Sequence, residues 1–588
     1  MFKVFKNLKA RDVIFILICA GLVVVQVWLD LTMPDYTQKL AESVSAGSID
    51  MEKVLANGGM MLLCAVGSML SAMFCGFFAA QIAANFAKTL REKLFGNILR
   101  FSNSEINKFS TPSLITRTTN DVVQLQMFMA MGLQMLIKAP VTAIWAIAKI
   151  SNSSIEWTRA VLVCVIVIVV TILTLVLTAY PKFKSIQKLT DNLNDVTREN
   201  ISGVRVVRAF NAEKYQEKKF DNVNDAITKN HLFTSRIMGL MMPVMMMAMN
   251  GVTLAIYWIG AYLVNDAEIA GRAEVVGNMS AFTQYAMQVI GAFMMLVMIF
   301  IIMPRTLVSA KRINEVLETE PTIDYKSEEI KSTTRGKIEF KNVSFAYGDS
   351  GKPCIKNVSF EINSGETFAI IGATGTGKST LVNLIPRYYD VTGGEILIDG
   401  VNIKEYPEEQ LERIVSVAPQ KATLFSGDIK SNITYGCKEE VKDTDERIKR
   451  SLEISKSDFV NNLSDGIHAK VAQGGTNYSG GQKQRLSIAR AVFKNSEIMI
   501  FDDTFSALDY KTDMLVRKAI REELSDTTVI IVAQRIGTIR NADKILVLHD
   551  GEIAGIGKHE DLMKNCDIYK EIALSQLSAE ELSGKESA

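Results

Sequence analysis

The chain has 588 residues, of which 48 % are hydrophobic and 22 % charged, with 65 basic against 64 acidic side chains. That balance excludes a disordered chain and a small disulfide scaffold, and it supplies no bulk charge to attract nucleic acid. The apolar excess lies before residue 305, so the two halves differ in kind.

The first half reads as membrane-embedded helix. A spanning helix needs ~20 mostly apolar residues, because hydrocarbon cannot satisfy free backbone groups. Six segments meet that condition: 13–33, 56–82, 128–150, 158–180, 239–264 and 278–304. The N-terminus begins Met-Phe-Lys and has no small-residue cleavage site, so 13–33 is expected to be a retained span rather than a secretory signal. Lys3, Lys6, Lys9 and Arg11 precede the first span, and Lys88, Arg91, Lys93, Arg100, Lys108 and Arg117 crowd the 83–127 connection. The 265–277 connection instead carries Asp266, Glu268 and Glu274 against Arg272. The bias of basic residues therefore places both long connections and both termini on the cytoplasmic side of a cell membrane. The 181–236 connection is polar, with Ile186, Leu189, Leu193 and Val196 at helical spacing, so the spans should continue as helices beyond the bilayer. Twenty extra residues project ~30 Å.

Two features inside the spans stand out. Lys138 lies two residues before Pro140; a buried ammonium calls for a wet cavity or a partner carboxylate, unless the side chain simply snorkels. Thirteen of the 27 methionines fall between Met238 and Met303, which suits either an adaptable apolar binding surface or ordinary packing. The cysteines (Cys19, Cys64, Cys75, Cys164, Cys354, Cys437, Cys566) form no C-x-x-C pair and read as small hydrophobes; the four histidines do not cluster, which argues against a metal centre.

A polar linker over 319–337 separates the spans from an α/β pattern over 338–575, followed by a tail at 576–588. Thr367–Ile371 reads as a short buried strand, and it runs into Gly372-Ala373-Thr374-Gly375-Thr376-Gly377-Lys378-Ser379 and a helix from Thr380. Such a G-x-x-x-x-G-K-[ST] loop surrounds phosphate oxygens with backbone N–H groups, brings a lysine to the β/γ charges and offers a hydroxyl to Mg²⁺. Ile498–Phe501 forms a second apolar strand that delivers Asp502 to the metal. Between them, Tyr478 is followed by Ser479-Gly480-Gly481-Gln482 and a helix.

These three motifs in this order resemble the ABC transporter ATPases, whose signature is S-G-G-Q ahead of such a helix. The membrane half resembles the six-helix exporters of that family, with Glu199–Phe210 similar to the segment leading to the second coupling helix and Phe109–Asp121 to the region of the first. The fold implied is an all-α six-helix transmembrane domain over 1–318 with long helical extensions, joined to an α/β P-loop ATPase domain. The cofactors implied are ATP and Mg²⁺. By the same resemblance Tyr347 stacks on adenine; Gly372, Thr374, Gly375, Thr376, Gly377, Lys378, Ser379 and Thr380 hold the phosphates; and Ser379, Gln420 and Asp502 serve the metal. Ser479, Gly480, Gly481 and Gln482 act on a nucleotide across the interface between two ATPase domains, where Asp509 of the D-loop also lies.

Two positions depart from the family pattern. The residue after the Walker B aspartate, normally glutamate, is Asp503, and the switch position, normally histidine, is Gln534. Asp503 keeps the carboxylate but loses a methylene, a displacement of about 1 Å at a position where that can cost ~100-fold. Gln534 can donate a hydrogen bond but cannot act as an imidazole. With the signature intact, this resembles the degenerate-site subunit of heterodimeric bacterial multidrug exporters, whose partner is a second half-transporter and whose cargo is a hydrophobic or amphipathic small molecule. The alternatives are a slow homodimeric exporter of lipid or peptide, and an ATP-gated regulator or channel.

Overall fold

The computed structural model describes residues 2–45, 50–151, 155–268, 271–332, 334–348, 351–437 and 444–576. Beyond Gln576, the expected tail lies outside the described residues. The chain divides into two compact units, one of Met1–Ile98 with Pro112–Thr319, the other of Leu99–Thr111 with Glu320–Ala588.

In the first unit, the described residues include six helices long and apolar enough to cross a membrane. They are α1 (Ala10–Ser45), α2 (Met51–Leu99), α3 (Thr111–Ser151), α4 (Ile155–Ser202), α5 (Glu213–Asp266) and α6 (Arg272–Glu318). Each apolar window proposed from the sequence sits inside a longer helix. The 48 residues of α4 correspond to ~72 Å, more than twice a ~30 Å hydrocarbon core. Pro34, Pro140, Pro181 and Pro304 lie within these helices, as is tolerated where neighbouring helices and side chains re-satisfy the freed carbonyls. A single π turn at Phe128–Gly132 interrupts α3.

Burial is uneven. In α6, 38 % of the most apolar window is buried, against 12 % in α4 and 11 % in α5, so α6 is the central helix and the α4–α5 pair leaves most of its apolar surface uncovered. The methionine run follows that division: Met245 and Met279 are buried, while Met242, Met246 and Met247 face outward on α5.

Polar contacts tie α1, α3 and α6 together inside the apolar unit. Lys138 on α3 meets Asp30 on α1 at 3.6 Å, and Lys149 on α3 donates to Asp35 on α1 at 2.6 Å. Tyr285 on α6 donates its hydroxyl to the same Asp35, and Gln288 donates to the Asp30 carbonyl at 3.5 Å. Lys138 therefore has its partner carboxylate. Nothing in the hydropathy pattern pairs the two acids with these lysines, because Asp30 is one acid in an otherwise apolar span and Asp35 lies just beyond it. Farther along, Ser309 donates to Asp121 at 2.7 Å and Arg117 to Glu315 at 2.9 Å, again joining α3 to α6.

The second unit contains the α/β pattern. Strands β1 (Ile338–Phe345), β2 (Ile355–Ile362), β4 (Gly393–Ile398) and β5 (Val401–Asn402) form an antiparallel sheet in the order β2-β1-β4-β5. Strands β3 (Thr367–Ile371), β6 (Val415–Ala418), β9 (Ile498–Asp502), β10 (Thr528–Val532), β11 (Lys544–His549) and β12 (Glu552–Gly557) form the larger sheet, ordered β12-β11-β3-β10-β9-β6 and parallel except at its β12 edge. A small ribbon pairs β7 (Gly427–Asp428) with β8 (Lys470–Val471). Alternation along β3 assigns its two faces. Phe368 and Ile370 join the core beneath the antiparallel sheet, while Ala369 and Ile371 join the helix-covered core on the other side.

The segment Leu99–Thr111, expected within the transmembrane domain, packs with this second unit. It carries a short helix, Asn103–Phe109, capped by a Ser102–Glu105 capping box, and Asn107 donates to the Tyr389 hydroxyl at 3.2 Å. The short helix thus lies just N-terminal to the expected Phe109–Asp121, most of which belongs instead to the start of α3. A second short helix, Val204–Ala209, falls within the expected Glu199–Phe210 segment and has no buried residue.

Replacing Lys138 by Met should remove the cation from Asp30 and leave its carboxylate with the Ser68 hydroxyl as donor. Breaking a buried pair on one side costs ~3–5 kcal/mol, and with each side chain 23 % exposed the loss here should be nearer ~2 kcal/mol. Thermal unfolding of the full chain in detergent should show a lowered midpoint for Lys138→Met, and the Asp30→Asn/Lys138→Met double variant should recover most of it.

Candidate functional site

The site gathers at the C-terminal ends of the parallel strands, where loops leave an open α/β sheet. The loop after β3 is shaped by its glycines. A Cβ on Gly372 would lie 2.2 Å from the Leu548 carbonyl oxygen, so only glycine fits there. Gly375 and Gly377 take φ of +87° and +97°, which lets the chain wrap before helix α7 (Lys378–Asn383). Ala373, Thr374 and Gly375 are exposed at the mouth, and Thr376 closes the turn with a hydroxyl bond to the Ala373 carbonyl at 2.9 Å.

Lys378 is 8 % exposed and donates to the Gly372 and Ala373 carbonyls at 2.7 and 2.8 Å. Burial lowers its pKa below the ordinary lysine value, opposed by the nearby Asp503 and Asp502 carboxylates. Ser379 donates to Asp502 at 2.9 Å. Asp502 ends the fully buried β9; burial raises its pKa and the Ser379 hydrogen bond works against that rise. Thr380 bonds the Tyr347 hydroxyl at 2.9 Å, and the Tyr347 ring, 43 % exposed, stands edge-on to Phe345 and Tyr389.

Three residues singled out for catalysis meet at one atom. Asp503 Oδ2 accepts the Gln420 side-chain amide at 3.1 Å and the Gln534 side-chain amide at 3.0 Å. The carboxylate can only accept, which fixes both amides as donors. Gln420, expected among the metal ligands, is thus turned toward Asp503 and not toward the Ser379–Asp502 pair. The Asp503 backbone is itself held, at φ +46° with its N–H on the Val532 carbonyl at 3.0 Å. A cavity of about 320 Å³ opens beside it, lined by residues that include Ser506, Ala533, Gln534 and Gln576.

The signature residues build a helix start of their own. Ser479 and Gln482 form a reciprocal capping box at the head of α8 (Gly480–Lys494), leaving Ser479 and Gly480 exposed at a helix N-terminus. Gly481 lies against the loop after β9, where an added Cβ would come 3.3 Å from the Ala507 carbonyl. Asp509 caps α9 (Tyr510–Glu523) through Thr512, and those bonds lower its pKa. Tyr478 packs against the core around Leu424 and Leu486 and donates to the Lys470 carbonyl at 3.3 Å. Gln484, one turn into α8, donates to the Pro419 carbonyl at 3.0 Å, beside Gln420.

The chemistry available is a loop of backbone N–H groups, one ammonium, a hydroxyl paired to a buried carboxylate, and a second carboxylate held by two amides. Gln576 is the residue with no sequence signal; its amide bonds the backbone around Gln534.

Comparison with known proteins agrees with the motifs. Residues 13–293 match the ABC transporter transmembrane region and residues 355–506 match the ABC transporter domain. An uncharacterized ABC transporter ATP-binding protein of Mycobacterium bovis is 36 % identical over 521 residues, covering 88 % of this chain and 87 % of that protein. The ABC transporter ATP-binding protein YfiB of Bacillus subtilis is 35 % identical over 90 % of this chain and 91 % of its own length. An ATP-dependent lipid A-core flippase of Pseudomonas fluorescens is 30 % identical over 90 % and 87 % respectively. Among solved structures, a bacterial Atm1-family ABC exporter with ATP bound superposes with a TM-score of 0.77 at 23 % identity, covering 96 % of this chain and 98 % of that one, so the two share a fold. With relatives of this identity along most of its length, the chain belongs to the ABC transporter family.

Proposed function

We propose that this protein is one subunit of an ATP-driven membrane exporter, holding ATP in a slow site of its own and lending an intact signature to the site of a different partner chain. The observation that carries this reading is the double engagement of Asp503 Oδ2 by Gln420 and Gln534. A general base must reach the attacking water within ~2.6–3.2 Å. This carboxylate stands on a short stem from a fixed backbone and has one oxygen committed to two donors. The exposed Ser479–Gly480 helix start, in contrast, is well formed for an anion.

The pocket fits MgATP. Lys378 and the backbone N–H groups of Gly375–Ser379 would meet the phosphates, Ser379 and Asp502 would hold the ion through oxygen, and Tyr347 offers an exposed face to the base. Bound Mg²⁺ supplies neutralisation of phosphate charge. The protein works as a multi-pass protein of a bacterial cytoplasmic membrane. The cargo is a hydrophobic or amphipathic small molecule, in keeping with a bundle whose charged side chains at Asp30, Asp35, Lys138 and Lys149 are paired. A second reading, homodimeric lipid export, is favoured by the lipid A-core flippases among the relatives.

The purified chain alone should hydrolyse ATP slowly, and Asp503→Asn should change that rate little. Restoring Glu and His together, as Asp503→Glu/Gln534→His, should raise turnover at least ~10-fold, a fraction of the ~100-fold that a 1 Å displacement can cost. Brisk turnover by the lone chain, abolished by Asp503→Asn, would overturn the slow-site reading.

A pH series tests Lys378. Its charge is present below its pKa and lost as pH rises through it, and that pKa is lowered, so the loss begins at lower pH than for an ordinary lysine. MgATP affinity should therefore begin to fall at a lower pH than an ordinary lysine would give, because burial favours the uncharged amine. Lys378→Ala should bind weakly at neutral pH with a flat profile, measured by equilibrium binding of a fluorescent ATP analogue.

A further inference from the structure

The loop carrying Gln534 lies between β10 and a four-residue helix, Ile536–Ile539, whose N-cap residue Arg535 makes no side-chain capping bond. The first N–H of that helix is satisfied from elsewhere. Helix α10 (Asp567–Gln576) ends in Gln576, whose side-chain oxygen accepts from the Ile536 N–H at 2.9 Å while its side-chain nitrogen donates to the Gln534 carbonyl at 2.7 Å. One amide thus bridges residues 534 and 536 as an adjacent strand would. Helix α10 is anchored independently: Tyr569 and Ala573 are fully buried in the core that holds Val547, Ile536 and Ile539, and the Tyr569 hydroxyl bonds His559 at 2.7 Å.

Upstream, the loop is fixed by the Ala533 N–H on the Ile370 carbonyl at 3.1 Å. Gln576 supplies the matching fixture downstream, and between the two the Gln534 side chain is aimed at Asp503. We infer that Gln576 is a positioning residue, a clasp by which the C-terminal helix holds the switch loop and presents Gln534 to the ATP site. The inference rests on the proposed reading only in taking Gln534 as the residue at the switch position.

The test uses the full-length chain in detergent. Gln576→Leu keeps the bulk and removes both hydrogen bonds; amide exchange over 533–540 should then quicken roughly tenfold, with the thermal midpoint unchanged. The same variant should lower kcat for ATP at least ~3-fold while KM stays within twofold, since it touches neither the phosphate loop nor Tyr347. Gln576→Glu retains the acceptor for Ile536 and sets a carboxylate against the Gln534 carbonyl, so exchange at Ile536 should stay slow while kcat falls. In a Gln534→Ala background, Gln576→Leu should have no further effect on kcat. Exchange at the original rate in Gln576→Leu, or a kcat loss undiminished in the Gln534→Ala background, would overturn the inference. A wild-type chain with brisk ATPase activity would defeat the slow-site reading and leave the exchange result standing.

Discussion

Two amide hydrogens, from Gln420 and Gln534, fall on one oxygen of Asp503, whose backbone is tied to the neighbouring strand. Asp502 pairs with Val532 at the last rung between β9 and β10, and the Asp503 N–H closes onto the Val532 carbonyl. Its φ of +46° is left-handed, a conformation uncommon outside glycine, asparagine and aspartate. With the main chain pinned, the reach of the carboxylate is set by its stem. On the proposed reading, the stem one methylene shorter than glutamate's keeps the acid between the two glutamines. The residue exchange and the local geometry are therefore one fact seen twice.

Electrostatics in the membrane unit follow a similar economy. A lone ammonium or carboxylate in hydrocarbon is expensive, and the described structure pairs each acid near the middle of α1 with a lysine of α3. Tyr285 adds a hydroxyl to Asp35, bringing in α6, the helix with the most buried window. Helices α1, α3 and α6 are thus joined by polar contacts that would be weak in water and are stronger where water is scarce. The α4–α5 pair has an uncovered apolar face that lipid or a second subunit would cover.

What was legible in the sequence was whatever leaves a short, spaced pattern. Gly372–Ser379, Asp502 and Ser479–Gln482 each sit on a predicted strand end or helix start, and the structure has β3, β9 and α8 there. The long helical extensions were readable because Ile186, Leu189, Leu193 and Val196 keep helical spacing through polar text. Partnerships across long separations were not readable. Asp30 and Lys138 are 108 residues apart and nothing local links them, so the lysine could be flagged but its acid could not. Gln576 is one polar residue at the end of an unremarkable helix, and its importance arises from where α10 is buried. The grouping of Leu99–Thr111 with the second unit leaves no local trace in the sequence either: it rests on contacts such as Asn107 with Tyr389.

Those contacts also bear on the proposed slow site. Tyr347 bonds Thr380 at the start of α7 and stands edge-on to Tyr389, whose hydroxyl accepts from Asn107 on the short helix Asn103–Phe109. Gln484 joins the signature helix to the Pro419 carbonyl, adjacent to Gln420, which reaches Asp503. The base-facing tyrosine, the signature helix and the catalytic carboxylate are each one or two contacts from an element that leaves the nucleotide pocket. None of these contacts requires bond cleavage; they require that the pocket be filled and shaped. On the proposed reading, a site that retains its phosphate loop, its metal carboxylate and its aromatic face, while its carboxylate base is held back, keeps what occupancy needs and gives up what speed needs.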